Sequence, residues 1–243
     1  MQAQLSSVYQ FLPFIDTFPK LFIDIPCLLE DMRAVIPFKK SNAKSRLSTL
    51  LTDNEREEFA MAMLSDVTGT LLRSGCFKVV DILSTSLIDD VGANIVLTEI
   101  GLNEALNEYL HKMSSHFLNE PVLIIMADIP LVSIKNIRDI TASHAEIVIV
   151  PGRMGGTNAL FISDPSRFHV DYYGASFLKH RNIAEKKVLV HEVFDSFNLS
   201  TDIDEVADLA EVLLHGTGRA AGYLKKLGFV LEESRGRVGV KRT

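Results

Sequence analysis

At 243 residues, with 47% hydrophobic and 8% aromatic content, the chain is long enough for one large α/β domain or two small ones, and its composition is that of an ordinary globular protein. A formal net charge of −6 excludes a broad basic stripe for nucleic acid, although a local cluster of cations can still grip a small phosphorylated ligand. No apolar run reaches the roughly 18 residues of a membrane span, and the two cysteines, Cys27 and Cys76, show no CxxC or Cys/His spacing, so the expected compartment is the reducing cytoplasm.

In chain order, residues 1–31 come first, with apolar patches broken by Pro13, Pro19 and Pro26 and a single basic residue ahead of residue 31. They make a poor signal peptide. Met32 stands immediately before the first convincing strand and is a candidate start, with the upstream stretch an appendage. Short β-branched runs then alternate with helical stretches, the pattern of βαβ units. Strands are predicted at RAVIPF, FKVVDIL, NIVLTE, PVLIIMA, EIVIVP, NALFIS and VLVHEV, and helices at 53–73, 101–115, 133–143 and 204–215. Residues 32–216 read as one three-layer, Rossmann-like α/β domain with a mainly parallel, mixed sheet, because right-handed crossovers stack such units on both faces. Residues 217–243 read as a short helix and a hairpin, GFVLEE and RVGVKR around Ser234, Arg235 and Gly236. An apolar terminal hairpin needs covering, and a second subunit is the preferred cover over the chain's own domain, which makes a homodimer the expected assembly.

Ligands of open α/β sheets bind outside the carboxyl ends of the strands, and four segments there can carry chemistry. PFKKSNAKSRL gathers Lys39, Lys40, Lys44 and Arg46 with Ser41, Asn42 and Ser45, which suits a triphosphate; without GxGxxG or GxxxxGKS, neither a dinucleotide fold nor a P-loop is supported. The same cluster also reads as a solvated basic loop. In IIMADIPLV, Asp128 ends a buried strand; it is either a turn or cap residue or a ligand of a hard cation such as Mg²⁺, which needs only one or two carboxylates plus phosphates. Ser133 is an equally good cap for the next helix, which weakens the first reading. In NLSTDIDEVADL, Asp202 and Asp204 flank Ile203; in an extended segment both acids face one way and Ile203 the other, while a capping box uses only one of them. In PGRMGGTNALFI, Gly152, Gly155 and Gly156 let backbone amides approach a ligand beside Thr157 and Asn158, and YYGASF supplies Gly174 and Ser176. Together these supply what nucleotidyl transfer requires: acids for Mg²⁺ and a basic loop for the departing pyrophosphate.

The stretches AVIPFKKSNAKSRLSTLL, MADIPLV, GGTNALF, YYGASF and LSTDIDEVADL, in this order and spacing over about residues 32–216, resemble the 2-phospho-L-lactate guanylyltransferases of coenzyme F-420 biosynthesis. The resemblance implies a Rossmann-like nucleotidyltransferase fold and transfer of GMP from GTP to (2S)-2-phospholactate, giving lactyl-2-diphospho-5′-guanosine and pyrophosphate. It implies Mg²⁺ on Asp128, Asp202 and Asp204, the phosphorylated acid at Thr157, Gly174 and Ser176, and the triphosphate near Lys39, Lys44 and Arg46. Related enzymes use phosphoenolpyruvate or 3-phosphoglycerate, so the acceptor is less constrained than the chemistry. A sugar-phosphate or pterin nucleotidyltransferase and a non-catalytic nucleotide-binding module are the alternatives.

Overall fold

The strand β1 (Arg33–Phe38) lies between two parallel neighbours, β2 (Val79–Ser84) and β4 (Val122–Ile125). Its near-continuous apolar run is what a strand covered on both faces requires. The structure, a computed structural model, describes residues 32–40, 44–88, 91–116, 120–234 and 236–243. Expectations concerning residues 1–31, including Cys27, together with Ser41, Asn42 and Arg235, lie outside the described residues.

The remaining strands of the main sheet are β3 (Asn94–Leu97), β5 (Ile147–Pro151), β6 (Thr157–Ile162) and β7 (His191–Val193), and the order is β3-β2-β1-β4-β6-β5-β7. β6 is antiparallel to both of its neighbours and the other pairings of this sheet are parallel, so the sheet is mixed and mainly parallel, as expected. Successive residues of each strand alternate between two helical layers. Ala34, Ile36, Leu123, Ile125, Val148 and Phe161 pack on the side of α1 (Asp53–Ser74), α3 (Ile134–Thr141), α6 (Asp208–His215) and α7 (Arg219–Lys226). Val35, Leu83, Ile124, Ile149 and Leu160 pack on the side of α2 (Leu102–His116) and α4 (Ser176–Lys186). The chain leaves β1 towards β2 and β3 and returns on its other side as β4, so the β1–β4 boundary is the topological switch point, where a crevice opens at the strands' carboxyl ends.

Local signals set most boundaries. Thr52 and Glu55 form the capping box of α1, and Gly75, at φ 70°, ends it. Three expectations need correction. α6 starts at Asp208 rather than at 204, because the Asp208 carboxylate takes the amides of Asp204 and Glu205 (3.0 and 2.8 Å) and holds them outside the helix. β7 starts only at His191, because Val188 adopts φ 54° and Leu189 N bonds back to Ala184 O, ending α4. α4 itself is not anticipated as a helix, nor is the single turn α5 (Phe197–Ser200).

The C-terminal strands β8 (Phe229–Ser234) and β9 (Arg237–Arg242) form a separate antiparallel hairpin. Its root is anchored on its own chain: Phe229 is buried in the core, and Arg242 donates to Glu55 Oε1 (2.5 Å), Glu55 Oε2 (3.0 Å) and Leu50 O (3.2 Å). Val230, Leu231 and Val238 stay exposed. Among the described residues no helix is long and apolar enough to cross a membrane.

Candidate active site

The segment leading out of β1 is anchored through Leu47, which is fully buried in the short 3-10 turn Ser45–Leu47. Just before it, Lys44 adopts a left-handed backbone (φ 54°, ψ 44°), and its Nζ donates to Asp128 Oδ2 at 2.5 Å and to Asp204 Oδ1 at 3.5 Å. Arg46 donates to the other oxygen of Asp204. Burial works to discharge the Lys44 ammonium, but Asp128, Asp204 and Asp202 outweigh it and hold its pKa above the ordinary lysine value.

Asp128 is available for this because it does not cap α3. Ser133 does, accepting from Asn136 N at 3.2 Å while the Asn136 side chain accepts from Ser133 N. The Asp128 carbonyl instead accepts from Ile203 N at 2.9 Å, pinning the Asp202–Asp204 segment beside β4. Ile203 is fully buried and the acids on either side of it are half-exposed, which is the alternation expected of an extended segment. Of the three acids expected within reach of one or two Mg²⁺ ions, two share one partner. Asp128 and Asp204 meet around the Lys44 ammonium, whereas Asp202 Oδ1 accepts from Asn158 Nδ2 and Arg153 N, each at 3.3 Å. Among the described residues no three His, Cys, Asp or Glu side chains are gathered as a metal cluster.

On the other side of β4, Thr157, Ser176 and Gly174 come together. Ser176 opens α4, its Oγ lies 3.1 Å from Thr157 Oγ1, and its N–H reaches Gly174 O at 2.8 Å. Gly155 (φ 87°) and Gly174 (φ 72°) occupy the left-handed region that favours glycine, while Gly156 is extended. Asn158 is a brace rather than an open donor: its Nδ2 is committed to Leu199 O (2.8 Å) and Asp202. Sequence reasoning missed His180. It is fully buried, with Nδ1 3.0 Å from Thr157 Oγ1 and Nε2 accepting from Asp171 N at 3.0 Å. The signal was present as spacing: Ser176, His180 and Ala184, each four apart, form the buried stripe of α4.

Two cavities open at the carboxyl ends of β1 and β2. A small one of about 140 Å³ is lined by Phe38, Lys39, Lys44, Met63 and Asp128. A larger one of about 510 Å³, lined by Leu83, Thr85, Thr98, Gly101 and Met126, shares Lys39 with it. Lys40 diverges from them into the groove between α1 and α7.

A mixed sheet whose switch-point crevice is walled by cations and acids is a setting for a phosphorylated ligand. The fold is shared with a protein described as a nucleotide-diphospho-sugar transferase from Desulfovibrio desulfuricans G20 (TM-score 0.68, 14% identity, 82% of this chain and 95% of that one). It is also shared with a cytidylyltransferase from Leptospira borgpetersenii (TM-score 0.52, 12% identity, 81% of this chain and 94% of that one). The chain belongs to the Guanylyl transferase CofC like family, whose profile matches residues 32–243 and so takes in the hairpin. It is 52% identical over 209 residues to the 2-phospho-L-lactate guanylyltransferase of Methanocella arvoryzae, covering 86% of this chain and 92% of that protein. It is 52% identical over 212 residues to the enzyme of the same name from Methanosarcina barkeri, covering 86% of this chain and 99% of that protein.

Proposed function

We propose that the protein is a 2-phospho-L-lactate guanylyltransferase, transferring GMP from GTP to (2S)-2-phospholactate to give (2S)-lactyl-2-diphospho-5′-guanosine and pyrophosphate in coenzyme F-420 biosynthesis. The observation that carries this reading is Lys44 held between Asp128 and Asp204 at the switch point of the sheet, in a chain of this family.

The larger cavity lies within the range of small-molecule sites, about 300–1,000 Å³, and takes the nucleoside, while Lys39, Lys44 and Arg46 steady the triphosphate. Thr157, Ser176 and the Gly174 turn hold the phosphorylated acid opposite it. The acceptor phosphate is already anionic near neutral pH, so the protein needs no nucleophile of its own. An acceptor oxygen attacks the α-phosphorus and pyrophosphate leaves towards the cations, with rate gained from positioning and charge neutralisation. Asp128 and Asp204 offer hard oxygen donors to one point now taken by an ammonium, with Asp202 beside them. That donor set fits Mg²⁺, which protein carboxylates and substrate phosphates hold jointly. When bound, the ion neutralises charge on the α-phosphate.

We further read the protein as a homodimer, because Val230, Leu231 and Val238 leave apolar hairpin surface for a second copy to cover. Sedimentation equilibrium at a mass of 27.0 kDa, that of one chain, would remove this part of the reading. The activity is tested by incubating the protein with GTP, Mg²⁺ and, separately, 2-phospholactate, phosphoenolpyruvate and 3-phosphoglycerate, and measuring pyrophosphate. Release is expected with 2-phospholactate foremost, and is abolished by EDTA and restored by Mg²⁺. No release with any acceptor overturns the assignment.

A further inference from the structure

His180 touches neither Lys44 nor the acids, and nothing in the mechanism above uses it. Its hydrogen bonds nevertheless fix its state. The Asp171 backbone N–H can only donate, so Nε2 must accept and carries no proton. In the neutral ring the proton is therefore on Nδ1, and Nδ1–H donates to Thr157 Oγ1. Among the described residues, His180 and Ser176 are the partners of the Thr157 oxygen. If Ser176 donates to Thr157, the Thr157 proton is left over; if Thr157 donates to Ser176, the Ser176 proton is left over. Either way one hydroxyl proton must leave the cluster, and the cluster presents a donor. The opposite tautomer would reverse this polarity: Thr157 would donate inward to Nδ1.

We propose that His180 is a positioning residue for the acceptor, acting through Thr157 and Ser176 to turn a hydroxyl proton outward as a hydrogen-bond donor to the phosphorylated acid. This rests on the reading of Thr157 and Ser176 as acceptor contacts. The ring is locked for this role from several sides: Tyr172 packs edge-on at 4.8 Å between ring centroids and Phe168 at 6.2 Å. The titratable and charged groups facing it are Asp171, which favours the protonated ring, and His169 and Lys179, which oppose it. Lys179 is itself bonded to Asp171 at 2.8 Å, which blunts that carboxylate's pull. Burial dominates and keeps the ring neutral.

The test is steady-state kinetics on His180→Ala, His180→Asn and His180→Gln, reading KM separately for 2-phospholactate and GTP. The amide nitrogen of Asn stands where Nδ1 does and keeps the donor to Thr157; that of Gln stands where Nε2 does and loses it. Losing one oriented hydrogen bond corresponds to about a tenfold rise in acceptor KM, expected for Ala and Gln, with GTP KM unchanged and Asn returning most of the affinity. Equal rises in both KM values, an unchanged acceptor KM, or Asn no better than Gln overturns the proposal. Where variants fail to fold, nitrogen-15 spectra of the wild-type imidazole decide: the Nδ1–H tautomer is expected, and an Nε2–H ring overturns it. A wild type that does not turn over 2-phospholactate sinks the functional reading itself, whereas normal turnover with silent His180 variants sinks this inference alone.

Discussion

Lys44 and Asp128, 84 residues apart in sequence, meet at 2.5 Å at the carboxyl ends of neighbouring strands. The contact joins the first functional loop to the end of β4, and through Ile203 N on the Asp128 carbonyl it also fixes where Asp204 sits. Cation and acid each keep the other from being a lone buried charge, which is costly in a low-dielectric crevice.

Asp128→Asn removes a charge without changing shape, so it isolates the electrostatic role. Turnover is expected to fall by about 10²–10³-fold or more, the scale of losing one preorganised charge-stabilising group. The side chain of Lys44 is only 10% exposed and keeps Asp204 at 3.5 Å, so the fold survives. Pyrophosphate release by the purified variant, with circular dichroism as the control, checks this; wild-type-like release removes Asp128 from the mechanism.

Acid sensitivity should carry the mark of His180. Burial foremost, with His169 and Lys179 reinforcing it, pushes the ring down to about 4 from its ordinary 6.5. Between those values the unfolded chain binds more proton than the folded one, so this contribution is complete above about pH 6.5 and is lost as pH falls through about 4. Its size is at most about 3 kcal/mol. Urea titrations at pH 7.5 and pH 4.5 should show a larger loss of stability for wild type than for His180→Asn, which does not titrate; equal losses reject the assignment.

How much of this was legible in the sequence depended on which residues face inward. β1 is legible to the residue because RAVIPF is apolar on both faces, and α1 because the Thr52/Asp53 cap marks its start. α4 was missed because its buried stripe is Ser176, His180 and Ala184 rather than large apolar residues, so hydrophobic periodicity has nothing to report. The same blindness hid His180. Asp128, Asp202 and Asp204 were legible because Ser133 takes over the cap and Ile203 fixes which way its neighbours face. That Lys44 stands between two of the acids while Asn158 and Arg153 take the third was not, because such partners are set by contacts between distant loops.

The hairpin should detach from one residue. Arg242 bonds Glu55 through both terminal nitrogens, reaches Leu50 O and Leu227 O, and lies 5.6 Å from the centre of the Phe229 ring. The Arg242 side chain and the Thr52 backbone hold the Glu55 carboxyl down to about 2. Protonation is therefore favoured more in the unfolded chain, and the latch, complete above about pH 4.5, weakens as pH falls towards about 2. Arg242→Ala is expected to speed amide exchange of 229–242 severalfold at neutral pH while leaving β1 and β4 protected. Unchanged exchange would show that Phe229 alone anchors the hairpin.

Ile203 links stability to the site. Its side chain is fully buried in the layer beneath the sheet and its N–H holds the Asp128 carbonyl, so packing of Ile203 aims the flanking acids together with the contacts that Asp202 makes to Asn158 and Arg153 N and Asp204 makes to Lys44 and Arg46. Ile203→Ala leaves a cavity and should cost about 2–5 kcal/mol, whereas Ile203→Val should cost about 0.5–1.5 kcal/mol. If packing sets the aim of Asp202 and Asp204, turnover measured well below the melting temperature should fall for Ala by more than any loss of folded protein explains, and hardly at all for Val. The decisive comparison is turnover per folded molecule against urea midpoint for the two variants. An Ala variant with full specific activity would mean that the Ile203 N–H on Asp128 is enough to hold the segment in place.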